Sequence, residues 1–222
     1  MADILPGYTW DSRIQRYRSL ATGRLVSRNA IMDQLGRAVT EGRDAAARIT
    51  TAFYEGRLSA SAWQEQLRIT LRRMHGQHAA LAVGGWDRMT PTDWGRIGRA
   101  LRDDYARIER LAQAVQRGEI TLAQALQRAD GYMGNARAQY YKAEQERLRP
   151  SSAENSIVSR RILGASEHCA DCVELYQRGW QPAGSMPTPG TGTSCQSYCQ
   201  CDMIHNEVAT DDLGDWIGTK RR

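Results

Sequence analysis

Residues 90–118 read TPTDWGRIGRALRDDYARIERLAQAVQRG, and this stretch decides the fold class. Thr90 stands as an N-cap, Pro91 suits the first helical position, and Asp93 lies where the helix dipole favours an anion. Trp94, Gly98, Leu101, Tyr105, Ile108, Ala112 and Val115 recur at alternating fours and threes, which aligns them along one seam of a helix. Gly118 is a stop signal. A helix of this length would be roughly 40 Å long at ~1.5 Å per residue.

The same grammar extends on both sides. Upstream, Ser27 caps a helix from about Arg28 to Glu55, with Ile31, Leu35, Ala38, Ala45, Ile49 and Ala52 as its seam and Gly56 beyond its end. A second helix from about Ala62 to Val83 opens on a Ser61–Gln64 capping box and stops at Gly84-Gly85. Its seam is Trp63, Leu67, Leu71, Met74, His78 and Leu81, with His75 on a neighbouring face. Downstream, a Thr121–Gln124 capping box starts a fourth helix that runs through Leu126, Ala129, Met133, Ala136, Tyr140 and Ala143 until Pro150 stops it; Gly131 and Gly134 interrupt its middle. Gly56-Arg-Leu-Ser59 and Gly118-Glu-Ile-Thr121 are similar turns, each between two helices. The expected fold is therefore mainly α: an elongated bundle of about four long helices, arranged as two α-hairpins, followed by a small α+β module.

The expected domains are an N-terminal arm (1–26), the helical bundle (27–150), a cysteine-bearing module (151–210) and a C-terminal tail (211–222). The arm carries a Pro6-Gly7 break and the aromatics Tyr8, Trp10 and Tyr17. The tail carries Trp216-Ile217 between acidic and basic residues. Each of these ends docks either on its own chain or on a neighbour, and the sequence leaves both readings open.

Charge is unevenly distributed. Residues 1–150 hold 24 Lys+Arg against 16 Asp+Glu, whereas residues 151–222 hold 6 against 9. The basic part has one lysine, Lys142; the rest is arginine, whose planar fork suits phosphates and carboxylates. Solvated helix faces account for that surplus more simply than a contact with a phosphate or carboxylate partner. No apolar run approaches the roughly 20 residues of a membrane span. The first ten residues show no basic segment followed by an apolar one, so synthesis in a reducing cytosol is expected. That places the five cysteines as metal ligands before disulfides.

All five lie between residues 169 and 201: His168-Cys169-Ala-Asp-Cys172, then 22 residues, then Cys195-Gln-Ser-Tyr-Cys199-Gln-Cys201, with His205 following. A C-x-x-C turn presents two thiolates to one tetrahedral ion, and a second thiol cluster after such a loop completes a two-knuckle site. Cys169 and Cys172 are the firmest ligands. Cys199 and Cys201 would point to opposite faces of a regular strand, so they share an ion only if the backbone turns there; otherwise Cys195 pairs with one of them. His168 and His205 are reserve ligands. The intervening segment is rich in glycine and proline and offers only Val173, Leu175, Trp180 and Met186 as core. Such a segment needs a staple, which argues that residues 151–210 are a zinc-binding, zinc-stapled module with one structural zinc per chain and its coordination filled.

The run from 160 to 204, about a fifth of the chain, resembles the phage head-morphogenesis or minor head (minor capsid) protein family. The matching elements are Arg161-Ile-Leu-Gly164, Cys169-Ala-Asp-Cys172, Gly179-Trp180, Pro187-Thr-Pro-Gly190, Thr193-Ser-Cys195 and Cys199-Gln-Cys201. The family's frequent His before the C-x-C pair is replaced by Cys195, which leaves the fourth ligand open. The resemblance implies a virion protein assembled in the host bacterial cytoplasm. It would be present in several copies and act with portal, capsid or connector proteins in head assembly or DNA delivery, without enzymatic activity. Two other readings compete. A metal-dependent nuclease would use His205-Asn206-Glu207, but a thiolate-saturated zinc does not activate water. A zinc-ribbon nucleic-acid module would need a basic footprint, and this segment is acidic.

Overall fold

The computed structural model describes residues 4–164 and 166–219. The chain divides into two compact units, Met1–Tyr140 and Tyr141–Arg222. The first is mainly helical and the second is a small α+β module.

The first unit opens with a hairpin, β1 (Tyr8–Asp11) and β2 (Arg16–Ser19), in antiparallel register with Trp10 opposite Tyr17. Those two rings meet edge to face at 4.8 Å, and Tyr17 is buried along with Leu5 and Val26. The expected arm is thus locally folded as a hairpin. An aromatic pair across a two-stranded ladder gives it a reason to close.

Four helices follow: α1 (Arg28–Tyr54), α2 (Ala60–Val83), α3 (Pro91–Gln116) and α4 (Leu122–Gly134). Helix α1 packs on α2 and α4, and α3 packs on both α2 and α4. Thr90 caps α3 and the Thr121–Gln124 capping box forms, both as the sequence predicts, and Asp93 additionally closes a capping box with Thr90. The second helix starts earlier than expected. Ser59, not Ser61, is its cap and accepts from the Ala62 amide at 3.2 Å.

Two seams are displaced from their sequence reading. In α1 the buried side shifts by one residue after Gly42, to Ala46, Thr50 and Phe53. Thr50 there accepts a hydrogen bond from the Trp63 indole at 3.2 Å, and Phe53 stacks on the Trp63 ring at 4.8 Å. In α3, Ile97, Leu101, Ile108 and Leu111 face inward, while Trp94 stays 45% exposed. The polar pair Asp93–Arg96 takes an inner position because the two satisfy each other at 2.9 Å and Arg96 also donates to Gln139.

The expected fourth helix is broken into α4 and α5 (Arg137–Arg147) at Asn135 and Ala136. Gly131 and Gly134 weaken the helix there, and the Asn135 amide donates instead to the buried carboxylate of Asp104 at 3.0 Å. His75 and His78 are both buried. His75 Nε2 lies 3.4 Å from Asp104, so it is an interior residue and not the outward one expected.

The second unit contains a three-stranded antiparallel sheet in the order β4 (Gln181–Pro182), β3 (Asn155–Ile162), β5 (Asp202–Ala209). Helix α6 (Ala170–Gln177) packs on β3. Val158, Trp180 and Val208 form an apolar cluster that Ile204, Leu213, Trp216 and Ile217 join. The tail, expected as a separate segment, is part of this cluster in its described residues. A short helix, α7 (Leu213–Trp216), brings the Trp216 ring edge-on to Trp180 at 5.6 Å, and Ile217 bridges Trp180. Gly179 makes room for it. Its φ is +66°, and a Cβ there would meet the Thr219 carbonyl oxygen at 2.3 Å.

Candidate metal centre

The local chain explains how the sulfurs converge. Cys169 is the N-cap of α6, and Cys172 sits in its first turn. Both sulfurs therefore lie at the positive end of a helix, which favours thiolate over thiol. On the other side, Cys195 and Cys199 flank a single 3-10 turn, Gln196–Tyr198. Cys201 directly precedes β5, so neither Cys199 nor Cys201 belongs to a strand. The backbone turns there, which settles how two cysteines two residues apart face one point.

The result is two groups of three sulfurs. Cys169, Cys172 and Cys195 lie within 4.8 Å of one another, and so do Cys172, Cys199 and Cys201. Cys172 belongs to both. Its Sγ is 3.5 Å from that of Cys195 and 3.8 Å from that of Cys199. Ligands on a tetrahedral zinc with bonds of about 2.3 Å stand about 3.8 Å apart, so the spacing within each group fits a cation. The second group is buried, while Cys169 and Cys195 are partly exposed.

The surroundings point to negative charge on the sulfurs. Arg161, on β3, is completely buried. Among the described residues its guanidinium reaches no carboxylate; Nη2 donates to the Pro187 carbonyl at 2.6 Å and Nη1 faces Cys199 Sγ at 3.9 Å. A buried cation needs a counter-charge, and the sulfur cluster is the group in place to provide it. Asp171 ties the two halves together by accepting from the Ser194 amide at 2.7 Å, and this bond holds its carboxyl below the ordinary range. Thr193 Oγ1 lies 3.4 Å from Cys195 Sγ, and the Tyr141 hydroxyl donates to the Cys201 carbonyl at 3.2 Å. Gly164 lets the chain pass closely, since a Cβ on it would meet the Gln200 carbonyl oxygen at 2.7 Å.

The thiols respond to this crowding by splitting. A hydrogen bond from Cys201 lowers Cys199 to about 4, against burial and with help from Arg161. The same contact pushes Cys201 strongly upward. At Cys169, burial raises the thiol, but bonds from Ser194 and from Cys172 and Cys195 outweigh it and bring it down to about 6. Burial raises Cys172, and it raises Cys195 to about 12. Protons are thus retained where neighbouring thiolates would repel. A divalent cation removes that reason and displaces them.

The reserve histidines separate. His168 Nδ1 lies 3.5 Å from Cys201 Sγ, and its Nε2 lies 3.0 Å from the Gly164 carbonyl, to which it donates. That is the arrangement of a histidine oriented at the edge of a metal site. His205 points elsewhere. Its Nδ1 meets Ser159 Oγ at 2.8 Å and its Nε2 lies 3.5 Å from Glu144. Glu207 accepts from Asn155 Nδ2 at 2.7 Å and from Ser151, so the His205–Glu207 run is engaged in the sheet's own polar contacts. Among the described residues, every donor in the two converging groups is a cysteine. The role of Arg161 was not read from sequence. Arg161 adjoins Arg160 in a strand of mixed polar and apolar residues, and nothing in the sequence distinguishes it.

Compared with known proteins, the chain matches no family model, no curated protein and no solved structure. Among the described residues no helix is long and apolar enough to cross a membrane.

Proposed function

We propose that this chain is a structural protein of a phage virion, a minor head or portal-proximal component, whose second unit is held together by a tightly bound zinc ion. The observation that carries the reading is the cysteine-knuckle run of residues 160–204, with its resemblance to minor head proteins, gathered around one buried sulfur cluster. The clustered cysteines supply a place for a metal ion. Zinc fits better than a redox metal on chemistry, since an all-thiolate, buried set suits a d¹⁰ ion with a structural task. The buried group Cys172, Cys199 and Cys201 would hold it, and the ion would supply cross-linking energy to a unit with a small apolar cluster.

In this reading the chain catalyses no reaction. It is assembled in the host bacterial cytoplasm with portal, capsid or connector proteins, in several copies per particle, and its arginine-rich first unit meets packaged DNA or an acidic partner. The test follows a tagged chain through particle purification from producing cells and quantifies it by mass spectrometry. Recovery at a constant copy number per portal ring is the expected result. Absence from particles, together with normal particle yield when the gene is deleted, would refute the assignment.

A further inference from the structure

We propose that the sulfur cluster takes two soft divalent ions, bridged by the Cys172 thiolate: an inner ion on Cys172, Cys199 and Cys201, and an outer ion on Cys169, Cys172 and Cys195. This rests on the reading of the cluster as a metal centre and extends it to a second position.

Geometry is the first argument. Two ligands on one ion with bonds of about 2.3 Å cannot lie more than about 4.6 Å apart. Among the described residues, the sulfurs within 4.8 Å of one another form two triplets and no quartet. A single four-thiolate site is therefore not what the chain builds. Cys172 Sγ stands between the triplets, at 3.5 Å from Cys195 and 3.8 Å from Cys199. That is the place of a bridging thiolate, which uses two of its lone pairs for two metals.

Charge is the second argument. Two dications together with the buried Arg161 offset five thiolates. Binding releases the remaining thiol protons to solvent, and no electron is exchanged.

The two positions differ in access. The inner triplet is buried, and His168, with Nδ1 3.5 Å from Cys201 Sγ, stands at its edge and outside it. Two of the three outer sulfurs are partly exposed. The outer ion's fourth position faces solvent and takes water or another exchangeable ligand. The inner ion is accordingly slow to leave and the outer ion quick.

The experiment uses the full reduced chain, loaded with zinc or cadmium alone and analysed by native mass spectrometry and elemental analysis. Two ions per chain are expected, with one lost first to a mild chelator. Cys195→Ser should retain one ion and protease resistance of residues 141–222; Cys169→Ser should do the same. One ion in the wild-type chain overturns the two-ion centre and leaves the single-zinc reading standing. Fewer than about 0.3 equivalents of metal overturns both. Two ions retained in both variants overturns the ligand assignment.

Discussion

Replacing Cys172 by serine removes the one sulfur that both groups share. The consequence is decided by magnitudes. A structural zinc contributes on the order of 10–16 kcal/mol of folding energy, whereas the whole net stability of a domain is about 5–15 kcal/mol. One apolar cluster of the second unit has three buried members, Val158, Trp180 and Val208, and Leu175, Met186 and Met203 are buried besides, each contributing about 1.5–3 kcal/mol before chain entropy is counted. Ordering the chain costs about 1–2 kcal/mol per residue, which this burial alone does not offset, so Cys172→Ser should unfold residues 141–222. The helices of 27, 24, 26 and 13 residues lie in the first unit, while α5, α6 and α7 have 11, 8 and 4. Far-ultraviolet circular dichroism should therefore keep roughly four-fifths of its helical signal, because the two units unfold separately. Limited proteolysis with mass mapping should place the new cuts after residue 140. Loss of most helical signal would refute the reasoning, since it would make the metal unit integral to the bundle. Full retention of metal and protease resistance would refute it in the opposite sense.

Further outcomes follow from individual contacts. Arg161→Leu should weaken metal binding about 10–100-fold, by removing the buried counter-charge at Cys199, and a competition titration with a chelator reads this directly. Burial lowers His78 to about 4, from 6.5, so the unfolded chain binds its proton first. The stability this contributes is present above pH 6.5 and lost as pH falls towards 4, by up to about 3 kcal/mol; denaturant melts of the first unit at pH 7 and pH 4.5, compared with His78→Leu, check it. Trp180→Ala should destabilise the second unit by about 3–5 kcal/mol and release the Trp216 ring, visible as a change in tryptophan fluorescence. Thr90→Ala should cost the first unit about 1 kcal/mol, since it removes half of a capping box, and thermal melting would detect it.

Local chemistry determined much of this protein before any tertiary contact was considered. Thr90, Pro91 and Asp93 specify a helix start without help, and so do Thr121 and Gln124, because a cap satisfies amides that no other part of a helix reaches. The cysteine spacing likewise announced a metal site, since a turn of two residues between thiols brings them together in almost any fold. What the tertiary structure decided were the matters that depend on a second partner. The seam of α1 moves to Thr50 and Phe53 because Trp63 on another helix receives them. The break at Asn135 depends on Asp104, 31 residues away in sequence. Trp216 finds Trp180 only when β4 and the tail are in place. The division of five sulfurs into two groups around Cys172 rests on where a helix start, a 3-10 turn and a strand entrance meet. Spacing along a chain sets which ligands are neighbours. It does not set distances across a loop of 22 residues, because the closure entropy of such a loop changes only slowly with its length and leaves the geometry to the contacts at its ends.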